Sequence, residues 1–171
     1  MNVRNFVRSL VFFCAVSAAW AEDLRPPATP LVTHDPYFSV WSMADQVNAE
    51  QTKHWTGTVQ SLCSLARIDG KVYRVIGSDP RGTPALEQKR LQVLPTHTIY
   101  EFEGAGIALT LTFLTPALPD NLDVLARPVT YITWSAHSTD RGGHRVRSGG
   151  HCEAIKAGAT GEGRESPRPH D

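Results

Sequence analysis

The chain has 171 residues, room for one domain with a real core or for one domain and a fragment of another. Seventeen Lys and Arg balance seventeen Asp and Glu, so no surplus charge recruits nucleic acid or an anionic membrane.

The opening "MNVRNFVRSLVFFCAVSAAWAEDLRPP" carries Arg4 and Arg8, then an apolar stretch from Leu10 to Ala19, then the small-x-small run Ala19-Trp20-Ala21. That layout predicts a secretory signal over residues 1–21, cut after Ala21. Its apolar stretch is too short to span a bilayer, so the expectation is a secreted or periplasmic protein with no membrane attachment after cleavage. Cys14 reads as an apolar residue of the signal, because Phe13 is bulky where lipid-anchor processing wants a small residue. Cys63 and Cys152 remain; an export route permits a disulfide, yet nothing in their spacing positions them for one. There is no C-x-x-C and no close Cys/His cluster, so neither a metal nor a cofactor is expected. Within "SLCSLARI", Cys63 reads as a small buried residue.

The first dense element is "THDPYFSVWS", Thr33 to Ser42. His34 and Asp35 offer a base and an orienting or anchoring group, and Tyr37 and Trp41 offer an apolar wall. The competing reading makes Asp35-Pro36 a turn entering a strand, with Asp35 bonding local backbone and the aromatics plugging the core. Neighbours on an extended segment point oppositely, so His34 and Asp35 are not expected to form a dyad with each other. The stretch from Ser42 to Gln51 suits a helical turn or a loop. "KHWTG" repeats the pairing of histidine with tryptophan: His54 and Trp55 either stack on or bond a ligand, or Trp55 anchors a core with its indole N–H satisfied by backbone.

"CSLARIDGKVYRVIG" predicts a β-hairpin, two short strands flanking Asp69-Gly70, a pair that tolerates the positive φ of a type I′ turn. A second hairpin follows in "THTIYEFEGAGIALTLTFLTP". Thr98, Tyr100 and Phe102 share one face of its first strand, Ile107, Leu109, Leu111 and Phe113 share one face of its second, and Gly104-Ala105-Gly106 supplies the bend. Glu101 and Glu103 fall on the opposite, solvated face. Pro116 and Pro119 break the pattern, Asn121 to Leu125 makes a short connector, and "VTYITWSA" after Pro128 is a further strand rich in β-branched and aromatic residues. No segment carries a sustained apolar stripe at helical spacing. The fold class expected is all-β, an antiparallel β-sandwich-like domain over residues 22–140.

After Asp140 the chain turns to Gly, Arg, Glu and Ser and lacks aromatic residues. Such a segment buries too little surface to offset its ordering entropy, so residues 141–171 are expected to be disordered, with His144, His151 and His170 as solvated tail residues. The sequence carries no G-x-S-x-G elbow, phosphate-cradling glycine loop, dinucleotide fingerprint or H-E-x-x-H.

Taken in order, "PLVTHDPYFSVWS", "HWTG", "ARIDGKVYRVIG" and "PTHTIYEFEGAGIALTLTFLTPALPDNLDVLARPVTYITWSAHSTD" resemble the N-terminal part of the glutaminase A family, from about Arg25 to Asp140. The resemblance implies a much longer protein, in which a β-sandwich region precedes a helical toroid and the whole hydrolyses L-glutamine to glutamate and ammonia. It makes His34, Asp35, Tyr37, Trp41, His54 and Trp55 candidates for lining a small-molecule pocket or an interdomain contact, and transfers no catalytic residue. Where that family would continue into a further alternating strand, this chain enters its Gly/Arg-rich run, which suggests a truncated or out-of-frame tail from Arg141. Two other readings stand beside an inactive hydrolase fragment: a carbohydrate-binding β-sandwich using Tyr37, Trp41 and Trp55, and a structural stub with an unpaired sheet edge.

Overall fold

The computed structural model describes residues 26–152, with side chains to residue 149. The expected signal lies outside the described residues. Among those described, nine strands and one short helix form three antiparallel sheets. β1 (Thr29–Thr33) and β2 (Ser39–Ser42) make a two-stranded ribbon. β3 (Leu62–Ile68) is the middle strand of a three-stranded sheet, flanked by β4 (Lys71–Ile76) and β9 (Val146–Cys152). β5 (Glu87–Val93), β6 (His97–Gly104), β7 (Ile107–Leu114) and β8 (Tyr131–Ser138) lie side by side in a four-stranded sheet. The all-β, layered class expected from the sequence is the observed one.

Both hairpins follow from local chemistry. Asp69 and Gly70 take φ of 49° and 85°, the left-handed pair that a two-residue turn needs to match the strand twist. The β6–β7 turn narrows to Ala105 and Gly106, with φ of 52° and 79°. From there the alternation works as pattern predicts: Thr98, Tyr100 and Phe102 point inward opposite Phe113, Leu111 and Leu109, all of them buried. Tyr100 meets Phe113 edge-on, with ring centroids 6.4 Å apart. Ala66, Ile68, Val75 and Ile76 from the β3–β4 sheet and Leu31, Val32 and Val40 from the ribbon join these residues in one core cluster. Each fully buried large side chain contributes about 1.5–3 kcal/mol, which makes the β6–β7 row the main stabilising layer. Thr98 Oγ1 donates to the Pro30 carbonyl at 2.7 Å and ties that row to the ribbon.

The expectation of disorder from Arg141 onward is corrected for its first part. Residues 146–152 pair in register with the whole of β3, from Ile68 opposite Val146 to Leu62 opposite Cys152. The reason is backbone pairing: β3 offers a second unpaired edge, and a strand with Ser148, Gly149 and Gly150 at its centre can satisfy it with main-chain groups while burying little side chain. Residues 153–171 lie outside the described residues. Smaller outcomes also differ in detail. The Asn121–Leu125 connector holds a one-turn helix, α1 (Leu122–Leu125), whose Val124 N–H is capped by Asn121 Oδ1 at 3.1 Å. Residues 43–51 form turns and bends, the loop alternative of the two expected. Cys63 is half-buried, less enclosed than its apolar run suggests.

β8 is unlike the other strands of its sheet. Ile132, Trp134 and Ala136 stand opposite Phe113, Leu111 and Leu109, on the inward face, yet Ile132 is 38% exposed and Ala136 is exposed too. The second layer covers β6 and β7 and stops short of β8.

Candidate functional site

Two loops carry all but Trp41 of the residues that the sequence singles out, and hydrogen bonds join them. In residues 33–38, Asp35 Oδ1 accepts the N–H groups of Tyr37 at 2.7 Å and Phe38 at 2.8 Å, a side-chain turn that curls the backbone and turns Tyr37 outward. Tyr37 is 81% exposed. The Pro36 carbonyl at the turn's apex accepts both Trp55 Nε1–H and His54 Nε2–H, each at 2.8 Å. His54 Nδ1 lies 2.8 Å from Thr56 Oγ1 and 3.3 Å from the Thr56 N–H. With both ring nitrogens engaged, His54 holds one loop against the other and is not free to take a substrate proton. Its ring centroid lies 5.3 Å from that of Trp55, a residue 57% exposed. His34 is half-buried and meets Phe38 edge-on at 6.4 Å, with no bond to Asp35. Trp41, on β2, is half-buried, and its backbone pairs with Lys53.

The geometry therefore ties the turn that carries Tyr37 to His54 and Trp55 through the Pro36 carbonyl, fixes Asp35 as the brace of that turn and leaves His34 and Trp41 outside these bonds. Beside these loops runs a groove of about 280 Å³ lined by Val32, Phe38, Val40, Leu62, Val129 and Ile132. Its walls are chiefly apolar side chains and its far side is the uncovered start of β8. Such a surface suits apolar contact, and no acid–base pair points into it.

A second cluster, absent from the sequence reading, joins the β3–β4 turn to the connection between β8 and β9. His144 Nδ1 lies 2.6 Å from Asp69 Oδ2 and its Nε2 lies 2.9 Å from Asp140 Oδ1. Carboxylates only accept, so an imidazole that meets one at each nitrogen is an imidazolium. Hydrogen bonds to Asp69 and then Asp140 hold the His144 pKa above its ordinary value, and the same bonds to His144 hold both carboxyls below theirs. Asp69 Oδ1 also accepts the Arg145 N–H at 2.9 Å, and Asp140 Oδ1 the Gly142 N–H at 2.6 Å. The cluster braces the approach to β9. Among the described residues no group of three His, Cys, Asp or Glu is arranged to hold a metal ion.

Two family models match the chain in succession, a domain of unknown function designated DUF4964 over residues 11–84 and another, DUF5127, over residues 96–148. The second match, like β9, continues beyond Arg141. Over 149 residues the chain is 26% identical to glutaminase A of Aspergillus oryzae (strain ATCC 42149 / RIB 40). The relationship is to glutaminase A, and it is distant. The matched region takes in 82% of this chain and 21% of the relative, so the chain spans about a fifth of the length of the curated relative that it matches. No solved structure matches.

Proposed function

We propose that this chain is the non-catalytic β-sandwich part of a secreted glutaminase A-like amidohydrolase, and that its aromatic edge docks against the rest of such an enzyme, a helical toroid that hydrolyses L-glutamine to glutamate and ammonia. The observation that carries this reading is the inward face of β8. Ile132 and Ala136 belong to the core-facing row, yet both remain exposed among the described residues, and the adjoining groove and exposed Tyr37 and Trp55 extend the same apolar surface. His54 and Asp35 are spent on holding the edge in shape, so what the site offers is a rigid contact surface rather than proton transfer.

The purified chain is expected to release no ammonia from L-glutamine above a protein-free control; release would overturn the non-catalytic assignment. The docking role is tested in a chimera that carries residues 26–148 in place of the matching fifth of the Aspergillus oryzae relative. There Ile132→Asp and Trp55→Ala should lower the yield of soluble active enzyme, whereas Glu103→Ala on the exposed face of β6 should not. An active chimera indifferent to both changes refutes it. The exposure of Tyr37 and Trp55 on one braced edge favours a second reading, stacking against sugar rings. Glycan binding abolished by Trp55→Ala and untouched by Glu103→Ala is its required signature.

A further inference from the structure

The outer face of the three-stranded sheet carries an unusual juxtaposition. Arg67 on β3 and Arg147 on β9 occupy directly opposed positions, both exposed. Like charges in that relation repel. Arg145, one register step before β9, lies on the same face and lines the same concavity of about 590 Å³ as Arg67 and Arg147. None of the three guanidinium groups has a carboxylate partner among the described residues. The nearby carboxylates are already committed, Asp69 to His144 and the Arg145 backbone, Asp140 to His144 and the Gly142 backbone. Three guanidiniums and one imidazolium thus stand against two engaged carboxylates.

Arg67 and Arg147 also border a second, predominantly apolar hollow of about 670 Å³, walled by Leu65, Val72 and Pro80 and floored by Gly149. Gly149 is opposite Leu65 in the ladder, and a Cβ added there would meet nothing within 4 Å. A side chain at that position would project into the hollow. At its other wall Asp79 accepts a hydrogen bond from Gln51, which sets a negative charge away from the arginines and favours one orientation of a charged ligand.

We infer that this face binds a small amphiphilic carboxylate, its oxyanion bridging Arg67 and Arg147 and its hydrocarbon body lying over Leu65, Val72 and Gly149. A guanidinium pair offers parallel N–H donors matched to a carboxylate, and a bound anion removes the cross-strand repulsion. The occupant is a small molecule with one charged end because cationic and apolar compartments adjoin and share two residues.

Isothermal titration of the full chain with sodium octanoate, inorganic phosphate and octylammonium tests this. Octanoate is expected to saturate one site at least tenfold more tightly than phosphate, with no binding of octylammonium. Arg67→Glu converts the repelling pair into an attracting one, so the fold is kept while octanoate binding falls at least tenfold. Gly149→Val places a branched side chain on the floor of the hollow and should weaken octanoate binding at least tenfold while leaving phosphate binding unchanged. Octanoate binding no tighter than phosphate, or unaffected by Arg67→Glu or by Gly149→Val, overturns the proposal. So does an absence of saturable octanoate binding, which would leave the face to a larger partner or to solvent.

Discussion

Gly106, at the tip of the β6–β7 hairpin, is where a single methyl group tests how the turns are joined. Its φ of +79° is left-handed, so alanine there meets a backbone penalty of roughly 1–2 kcal/mol. Its added Cβ would also sit 2.6 Å from both Asp140 Oδ2 and His144 Nε2, about 0.8 Å inside the 3.4 Å of ordinary contact. The His144–Asp140 bond is 2.9 Å long, so a displacement of that size takes it out of hydrogen-bond range. Gly70 supplies the control: its φ is +85°, and a Cβ there meets nothing within 4 Å. Gly70→Ala should therefore lose about 1–2 kcal/mol by urea unfolding, and Gly106→Ala should lose that and more. The excess should also depend on pH. His144 has a raised pKa, so its contribution is complete below the ordinary histidine value of about 6.5 and disappears as pH rises through the higher folded-state value. Asp69 and Asp140 have lowered pKa values, so their contribution is complete above about 3.9 and disappears as pH falls through the lower folded-state values. The excess loss in Gly106→Ala should be greatest between those limits and shrink on the alkaline side. Equal losses for the two variants at every pH would refute the reasoning.

Other measurements probe separate parts of the fold. The His144 imidazole, followed by NMR through a pH titration, should titrate above an ordinary histidine and return toward it in Asp69→Asn. Leu111→Ala removes a side chain with no exposure from the middle of the β6–β7 layer and should cost about 2–5 kcal/mol in chemical denaturation. Arg67→Glu should raise stability by roughly 0.2–1 kcal/mol, since it places an opposite charge across from Arg147. High salt should reduce that gain.

What the sequence revealed tracks where side chains decide the structure. Asp69-Gly70 and the run from Thr98 to Phe113 were legible because turn chemistry and period-two burial are local signals. β9 was not, because "VRSGGHC" is held by main-chain pairing with a strand some eighty residues earlier, and composition counts its glycines as a lack of structure. The candidate site divides the same way. Asp35-Pro36 announced a turn, and the turn is there. Nothing in spacing announced that Pro36 would receive both His54 and Trp55, since those contacts cross 18 and 19 residues. His144 looked like one histidine among several in a polar run; its partner Asp69 lies 75 residues away, and only the closed β3–β9 ladder brings them together.

The place of β3 between β4 and β9 also sets an order of assembly. One neighbour follows directly through a two-residue turn, while the other begins only at Val146. For a chain emerging N-terminus first at roughly 5–20 residues per second, that leaves one flank of β3 open for about four to sixteen seconds. During that interval Arg67, whose charge repels Arg147 once the ladder has closed, faces outward from the waiting strand and discourages a second nascent chain from adding to it.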